Sequence, residues 1–452
     1  MLNKDQDDQL DRDNQFTAFL KSCGISDREE EILHMEFNTK LLHGVNSGGY
    51  SNGEILPPVS QVTAFQYETM EDLEKVFAHR RPGYAYTRIG NPTLTAFEQR
   101  INELEGGAGA VCTSSGMSAV TAALLSVCRS GDEIIAGSSL YGGTLNLFHD
   151  FEQLGIHTVF LDNLAGPGLE EAITEKTRVI FGELISNPAL KVMDISAVSG
   201  IAHRAGIPLF VDATTATPYL AKPLSEGADV VIHSTSKYIN GGGNSIGGII
   251  VDGGRFCWDF EKHTALREFA PFGKRAFLIR LRTDLWENLG GCMAPANAFL
   301  SYIGLDTLGL RMERICRNAD TLARALDEIP GIEVSYLTLP NHPDHALAEK
   351  VLNGYGGGIL NFRAGSKKKA FQIINQLKYA RIASNIGDLR TLVIHPASTI
   401  YAGCADARRE AAGVYEDTIR VSVGIEDSRD LTEDFRRAVL AAEDHNGEES
   451  PK

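Results

Sequence analysis

The sequence predicts an α/β protein built on a largely parallel sheet, and three observations carry that prediction. Strand-like apolar runs at 133–136, 157–161, 178–181, 207–211, 230–233 and 248–251 alternate with helix-length segments, the pattern of parallel strands joined by crossover helices. Three polar residues, Glu183, Asp212 and Lys237, fall at or just past the ends of such runs, at the edge where an open sheet binds ligands. The chain of 452 residues is too long for one core, and an apolar share of 43% fills two or three domains.

The stretch 228–248 organises the rest. Val230, Val231 and Ile232 form a buried-strand run that turns polar at His233, which puts Lys237 at a strand's carboxyl end. An amine in a dry crevice loses its proton easily and becomes a nucleophile for an aldehyde. Ser234 and Ser236 flank it with hydroxyls suited to a phosphate, and the glycines at 241–243 let backbone approach a flat ligand. Taken alone, Lys237 reads more readily as a solvated lysine after a strand, and the motif needs support from elsewhere in the chain.

A formal net charge of −16 argues against nucleic acid or an anionic membrane as partner. The seven cysteines never form Cys-x-x-Cys or stand near a His pair, so they read as reduced thiols of a cytoplasmic protein with no metal site. The acidic, polar start is unlike a targeting peptide, and no apolar run reaches transmembrane length.

In chain order, residues 1–32 read as a polar extension with a short helix around 16–21, and 33–90 as an arm. Such an arm reaches a neighbouring subunit or wraps its own domain. Within it, Tyr86 and Arg88 stand in a loop ahead of a helix that opens at Pro92, repeats Leu94, Phe97, Ile101 and Leu104, and closes at Gly106. Arg88 reads as a phosphate ligand or as a solvated side chain. Residues 110–119 read as a strand, a small-residue turn and a helix start: an anion cradle around Gly116, or a tight turn without a ligand. Tyr141, in a glycine turn, suits stacking on a ring. Asp212, after a fully apolar run, needs a partner such as a protonated ring nitrogen. The large domain spans 91–290, with a charged, irregular segment from 254 to about 283. The C-terminal domain spans 291–452, with helices between 296 and 326, a strand at 358–362, a helix at 367–377 and a strand at 418–424. On that last strand Arg420 clamps a carboxylate or closes an internal salt bridge.

Taken together, Tyr-Thr-Arg with Asn-Pro-Thr (86–93), Ser-Ser-Gly-Met (114–117), Tyr-Gly-Gly-Thr (141–144), Asn-Pro (187–188), Val-Asp (211–212), His-Ser-Thr-Ser-Lys-Tyr (233–238), His-Pro-Ala-Ser (395–398) and Arg-Val-Ser-Val-Gly (420–424) resemble the cysteine and methionine metabolism family of pyridoxal 5'-phosphate (PLP) enzymes. The likeness runs from about 37 to 443. It implies the aspartate aminotransferase-like fold, type I, with a mostly parallel seven-stranded sheet in the large domain and a smaller α/β C-terminal domain. It also implies Lys237 as the Schiff-base lysine, Asp212 at the pyridine nitrogen and Tyr141 as the stacking ring. Gly116, Met117, Ser234 and Ser236 would contact the cofactor's phosphate, with Ser115 and Thr214 also at the cofactor and Asn187 near its phenolic oxygen. Arg420 would take the substrate carboxylate, with Asn385 and Tyr86 at the substrate. Tyr86 and Arg88 would reach the phosphate of a neighbouring subunit, which implies a dimer with shared sites, paired into a tetramer.

Within the family, the segments at 247–256, 297–300, 311–314 and 384–388, and Gly143 in place of the cysteine typical of methionine γ-lyases, look most like the O-acetylhomoserine sulfhydrylase branch. That implies γ-replacement on an O-activated homoserine by sulfide, a small thiol or another nucleophile. Elimination to a 2-oxo acid and ammonia is the alternative. Ala213, Thr215, Gly241–Gly243 and Ile400–Tyr401 depart from the family pattern and leave the nucleophile open. An idle binding homologue is the reading from another class, opposed by the retained lysine, aspartate and arginine. A nucleotide-binding protein is disfavoured, since neither phosphate-loop motif is present.

Overall fold

The computed structural model describes residues 35–44, 50, 52–78, 80–404, 409–410 and 412–444; the helix expected at 16–21 lies outside them. The chain divides into Met1–Leu56 and Pro57–Lys452. In the first unit the described residues include a two-turn helix, α1 (Phe37–His43).

The second unit begins with α2 (Met70–Phe77) and α3 (Pro92–Glu105). Helix α3 starts and stops where its residues dictate. Asn91 Oδ1 accepts the Thr93 amide at 2.9 Å, Pro92 opens the first turn, and Gly106 ends it at φ 73°. Leu94, Phe97, Ile101 and Leu104 are all fully buried, each contributing about 1.5–3 kcal/mol of apolar burial.

Seven strands follow: β1 (Gly109–Thr113), β2 (Glu133–Gly137), β3 (His157–Leu161), β4 (Thr177–Glu183), β5 (Leu209–Asp212), β6 (Val230–His233) and β7 (Gly248–Asp252). They form one sheet in the order β1-β7-β6-β5-β4-β2-β3. Only β7 runs against its neighbours, so the sheet is mostly parallel as expected. Helices α4 (Gly116–Leu125), α5 (Gly142–Gln153) and α6 (Ile195–Arg204) return the chain between strands. The carboxyl ends of β4, β5 and β6 lie side by side. That edge receives Glu183, Asp212 and, one turn past β6, Lys237.

The segment read as irregular up to about 283 is mostly helical: turns run from Thr264 to Leu289, with a wide π-type turn at Leu281–Trp286. The buried residues Phe277, Leu281 and Trp286 are spaced four and then five apart, because a π turn adds a residue and breaks the 3.6 period. Trp286 Nε1 donates to Cys112 O at 2.6 Å and Arg282 pairs with Glu98 at 2.6 Å, docking the segment on β1 and α3.

Beyond it lie α7 (Pro295–Leu305) and α8 (Leu308–Asp327). A five-stranded sheet follows in the order β10-β11-β12-β9-β8, made of β8 (Glu333–Ser335), β9 (Ile359–Arg363), β10 (Arg381–Ile382), β11 (Leu392–Ile394) and β12 (Thr418–Ser422). Helices α9 (Lys367–Gln376) and α10 (Ser428–Asp444) pack with α8 over it around Leu322, Phe362, Ile373 and Phe435.

Candidate active site

A cavity of about 420 Å³ opens at the carboxyl edge of the seven-stranded sheet. Twelve residues singled out from sequence border it: Ser115, Gly116, Met117, Tyr141, Asn187, Asp212, Thr214, Ser234, Ser236, Lys237, Asn385 and Arg420. Tyr86 and Arg88 do not. Arg88 donates to Glu287 O at 2.7 Å, with its guanidinium 5.5 Å from the Tyr86 ring.

The cradle at α4 follows from local rules. Ser115 caps the helix by accepting the Ser118 amide at 3.1 Å, while the amides of Gly116 and Met117, first in the helix, have no intrahelical acceptor. A Cβ at Gly116 would stand 2.6 Å from Ser234 Cβ, so glycine is what lets the two loops meet. Thr214 Oγ1 accepts the Ser234 amide at 2.8 Å and locks the facing loop. Ser236 departs from the simple expectation: its hydroxyl donates to Gly247 O at 3.1 Å and accepts the Gly247 amide at 3.0 Å.

Lys237 Nζ donates to Asn385 Oδ1 at 2.6 Å. Burial, and after it the Arg420 charge, bring its pKa down to about 8. The carbonyls after it are held from α8, where Arg311 donates to Tyr238 O at 2.5 Å, Ile239 O at 3.1 Å and Gly304 O at 2.7 Å. Asp212 Oδ1 accepts the Thr214 amide at 2.9 Å. Burial raises its pKa, and among the described residues no basic side chain forms an ion pair with it. Arg420 is 3% exposed and donates to Asn187 Oδ1 at 3.3 Å and Asn385 O at 3.0 Å. Its Nε is buried without a partner, and no carboxylate among the described residues pairs with it. The internal salt bridge left open by the sequence is therefore absent among them.

These features fit PLP. The cradle offers free amides to a phosphate, the uncompensated Asp212 suits a protonated ring nitrogen, and the 42% exposed Tyr141 leaves a ring at the cavity wall. Gly143 lies under that ring, where a Cβ would stand 2.5 Å from Tyr141 Cε1.

The departures from the family pattern divide. Thr215, Gly243 and Ile400 line the cavity. Ala213 is fully buried, and Tyr401, 1% exposed, donates to Leu140 O at 3.1 Å, behind the cavity wall. Sequence reasoning assigned no site role to Thr144, Ile185, Ile246, Ser384 or Ile386, which also line it, although all but Ile185 lie in stretches it singled out; for the three isoleucines, aliphatic residues carry no signal that separates wall from core. It noticed Glu183 but assigned it no task.

A lysine-bearing cavity with an anion cradle, at the carboxyl edge of a mostly parallel sheet, defines an enzyme of the PLP-dependent fold type I. The chain matches the Cys/Met metabolism PLP-dependent enzyme family over residues 38–440. It is 39% identical to a homocysteine synthase of Schizosaccharomyces pombe, over 90% of this chain and 98% of that protein. It is 38% identical to an O-acetyl-L-homoserine sulfhydrylase of Leptospira meyeri, over 89% and 96%. Among solved structures, a putative O-acetylhomoserine (thiol)-lyase of Campylobacter jejuni, which contains a pyridoxyl-lysine monophosphate, superposes with TM-score 0.86 at 32% identity, covering 90% of this chain and all (100%) of that one. A cystathionine γ-synthase of Xanthomonas oryzae superposes with TM-score 0.79 at 31% identity, covering 91% and 99%. The chain belongs to the Cys/Met metabolism family of PLP-dependent enzymes.

Proposed function

We propose that this enzyme replaces the γ-acetate of O-acetyl-L-homoserine with sulfide or a small thiol, releasing acetate. The observation that carries the reading is one cavity holding a lysine of lowered pKa, a half-buried carboxyl and a buried guanidinium, the last two without an ion-pair partner among the described residues, in a chain 38–39% identical to enzymes named for this chemistry.

Bound PLP supplies a sink for the electrons left when an amino acid loses its α-proton. Lys237 would hold the cofactor and, once freed, its Nζ would take the α-proton and move protons at the neighbouring carbon. Asp212 would face the ring nitrogen and favour its protonated form. Tyr141 would stack on the ring, and the amides of Gly116 and Met117, with Ser115, Thr214 and Ser234, would hold the phosphate. Arg420 binds the substrate carboxylate in its two-pronged geometry, backed by Asn187 and Asn385. Acetate leaves the γ-carbon without a strong acid beside it, and the nucleophile adds there.

Incubating the enzyme with O-acetylhomoserine, with and without sulfide and a panel of thiols, should give γ-substituted amino acids by mass. Formation of 2-oxobutanoate and ammonia at one rate whatever is added would make it a lyase.

The same reading makes the enzyme a cytoplasmic homo-oligomer in which the arm at 33–90 brings Tyr86 and Arg88 to a neighbour's site. That neither residue lines this chain's own cavity supports it. Mixing inactive Arg88→Ala and Lys237→Ala subunits should restore part of the activity; no recovery after proven subunit exchange refutes shared sites.

A further inference from the structure

Glu183 ends β4 beside Asp212, its register partner on β5, and borders the cavity. Both its oxygens are engaged. Oε1 accepts the Tyr141 amide at 2.6 Å, and Oε2 accepts the Asn187 amide at 3.2 Å. The two amides belong to separate loops, and each loop carries a side chain into the site. Tyr141 presents its ring at the start of α5, a helix with no side-chain cap of its own residue. Asn187 presents Oδ1 to Arg420.

A carboxyl is a costly choice here. Burial first, and then the Asp212 carboxyl, push the pKa of Glu183 up, and a second acid works against the charge on Asp212. An apolar or amide side chain would avoid that cost. What a carboxylate alone offers is two acceptor oxygens at a fixed separation, one for each loop; a glutamine has a single acceptor.

We propose that Glu183 is a positioning residue that ties the Tyr141 loop to the Asn187 turn. It thereby sets the Tyr141 ring against the bound cofactor and, through Asn187, the Arg420 guanidinium against the substrate carboxylate. The proposal rests on reading the cavity as a PLP and amino-acid site.

The test compares wild type, Glu183→Ala and Glu183→Gln by titrating the apo proteins with PLP. Cofactor affinity and the circular dichroism of the visible cofactor band are recorded, followed by KM and kcat on O-acetylhomoserine. Loss of both hydrogen bonds should weaken PLP binding roughly tenfold or more in Glu183→Ala. The visible ellipticity per bound cofactor should shrink, because the stacked ring is no longer held, and KM should rise more than kcat falls. Glu183→Gln, with one acceptor left, should fall between. Affinity, ellipticity and KM all within about twofold of wild type in Glu183→Ala would overturn the proposal, whatever its melting temperature. Should that variant fail to fold, the same result in Glu183→Gln overturns it. A wild-type protein with no visible band overturns the cofactor reading and this proposal together. One that binds PLP but ignores O-acetylhomoserine fails only the substrate assignment, and affinity and ellipticity then decide.

Discussion

Lys237→Ala should bind PLP without developing the visible absorbance of a lysine-held cofactor, and its turnover should fall by on the order of 10⁴-fold. The effect is large because one amine both holds the cofactor and moves the substrate's protons. A second, graded test follows from the electrostatics. Only the neutral amine attacks an aldehyde, and burial with the Arg420 charge sets the Lys237 pKa near 8. The rate at which apo wild type captures PLP should therefore rise with pH through about 8 and level off above it. Arg420→Ala removes one of the two causes and should move that midpoint upward. Turnover in Lys237→Ala within tenfold of wild type, roughly 1.4 kcal/mol of barrier, would remove the lysine from the mechanism.

Asp212→Asn should keep the fold and lose about 3 kcal/mol of transition-state stabilisation, on the order of 10²-fold in kcat, because the neutral amide cannot hold the ring nitrogen's proton. Stability provides a control with a definite sign. Burial raises the Asp212 pKa in the apo protein, so the folded state binds this proton more tightly than the unfolded one. Its contribution to stability is then lost as pH rises from the ordinary carboxylate range through the raised value. At neutral pH the apo protein bears that cost, and apo Asp212→Asn should melt no lower than wild type. Near-normal kcat in this variant would show the aspartate to be structural.

Much of this was legible in the sequence, for physical reasons. Strands buried on both faces read as continuous apolar runs, which is why β6 matches its expected bounds and β5 lies within two residues of them. The end of β4 was placed two residues early, because Gly182 and Glu183 break the apolar run while their pairing with Val211 and Asp212 continues the ladder. Neighbouring strands overrode the local signal. The helical turns at 264–289 were hidden by the five-residue spacing of the wide turn. Ser236 illustrates a different limit. Its position beside Lys237 was plain, but its bonds to Gly247 cross to a segment 11 residues on, and nothing in the local pattern announces them. Glu183 was visible as a polar strand end, yet its two acceptor bonds depend on where loops 141 and 187 meet.

Gly143 has a bearing on how this chain can change. The hydrogen at that position leaves the Tyr141 ring its place, since a Cβ there would lie 2.5 Å from the ring, well inside van der Waals contact. Any side chain at 143 must be accompanied by a new resting place for the tyrosine. The two positions are therefore coupled: a side chain at 143 displaces the half-exposed Tyr141 ring from its present place. A bulkier residue at 143 therefore reaches the cofactor face of the cavity by way of the Tyr141 ring it shifts.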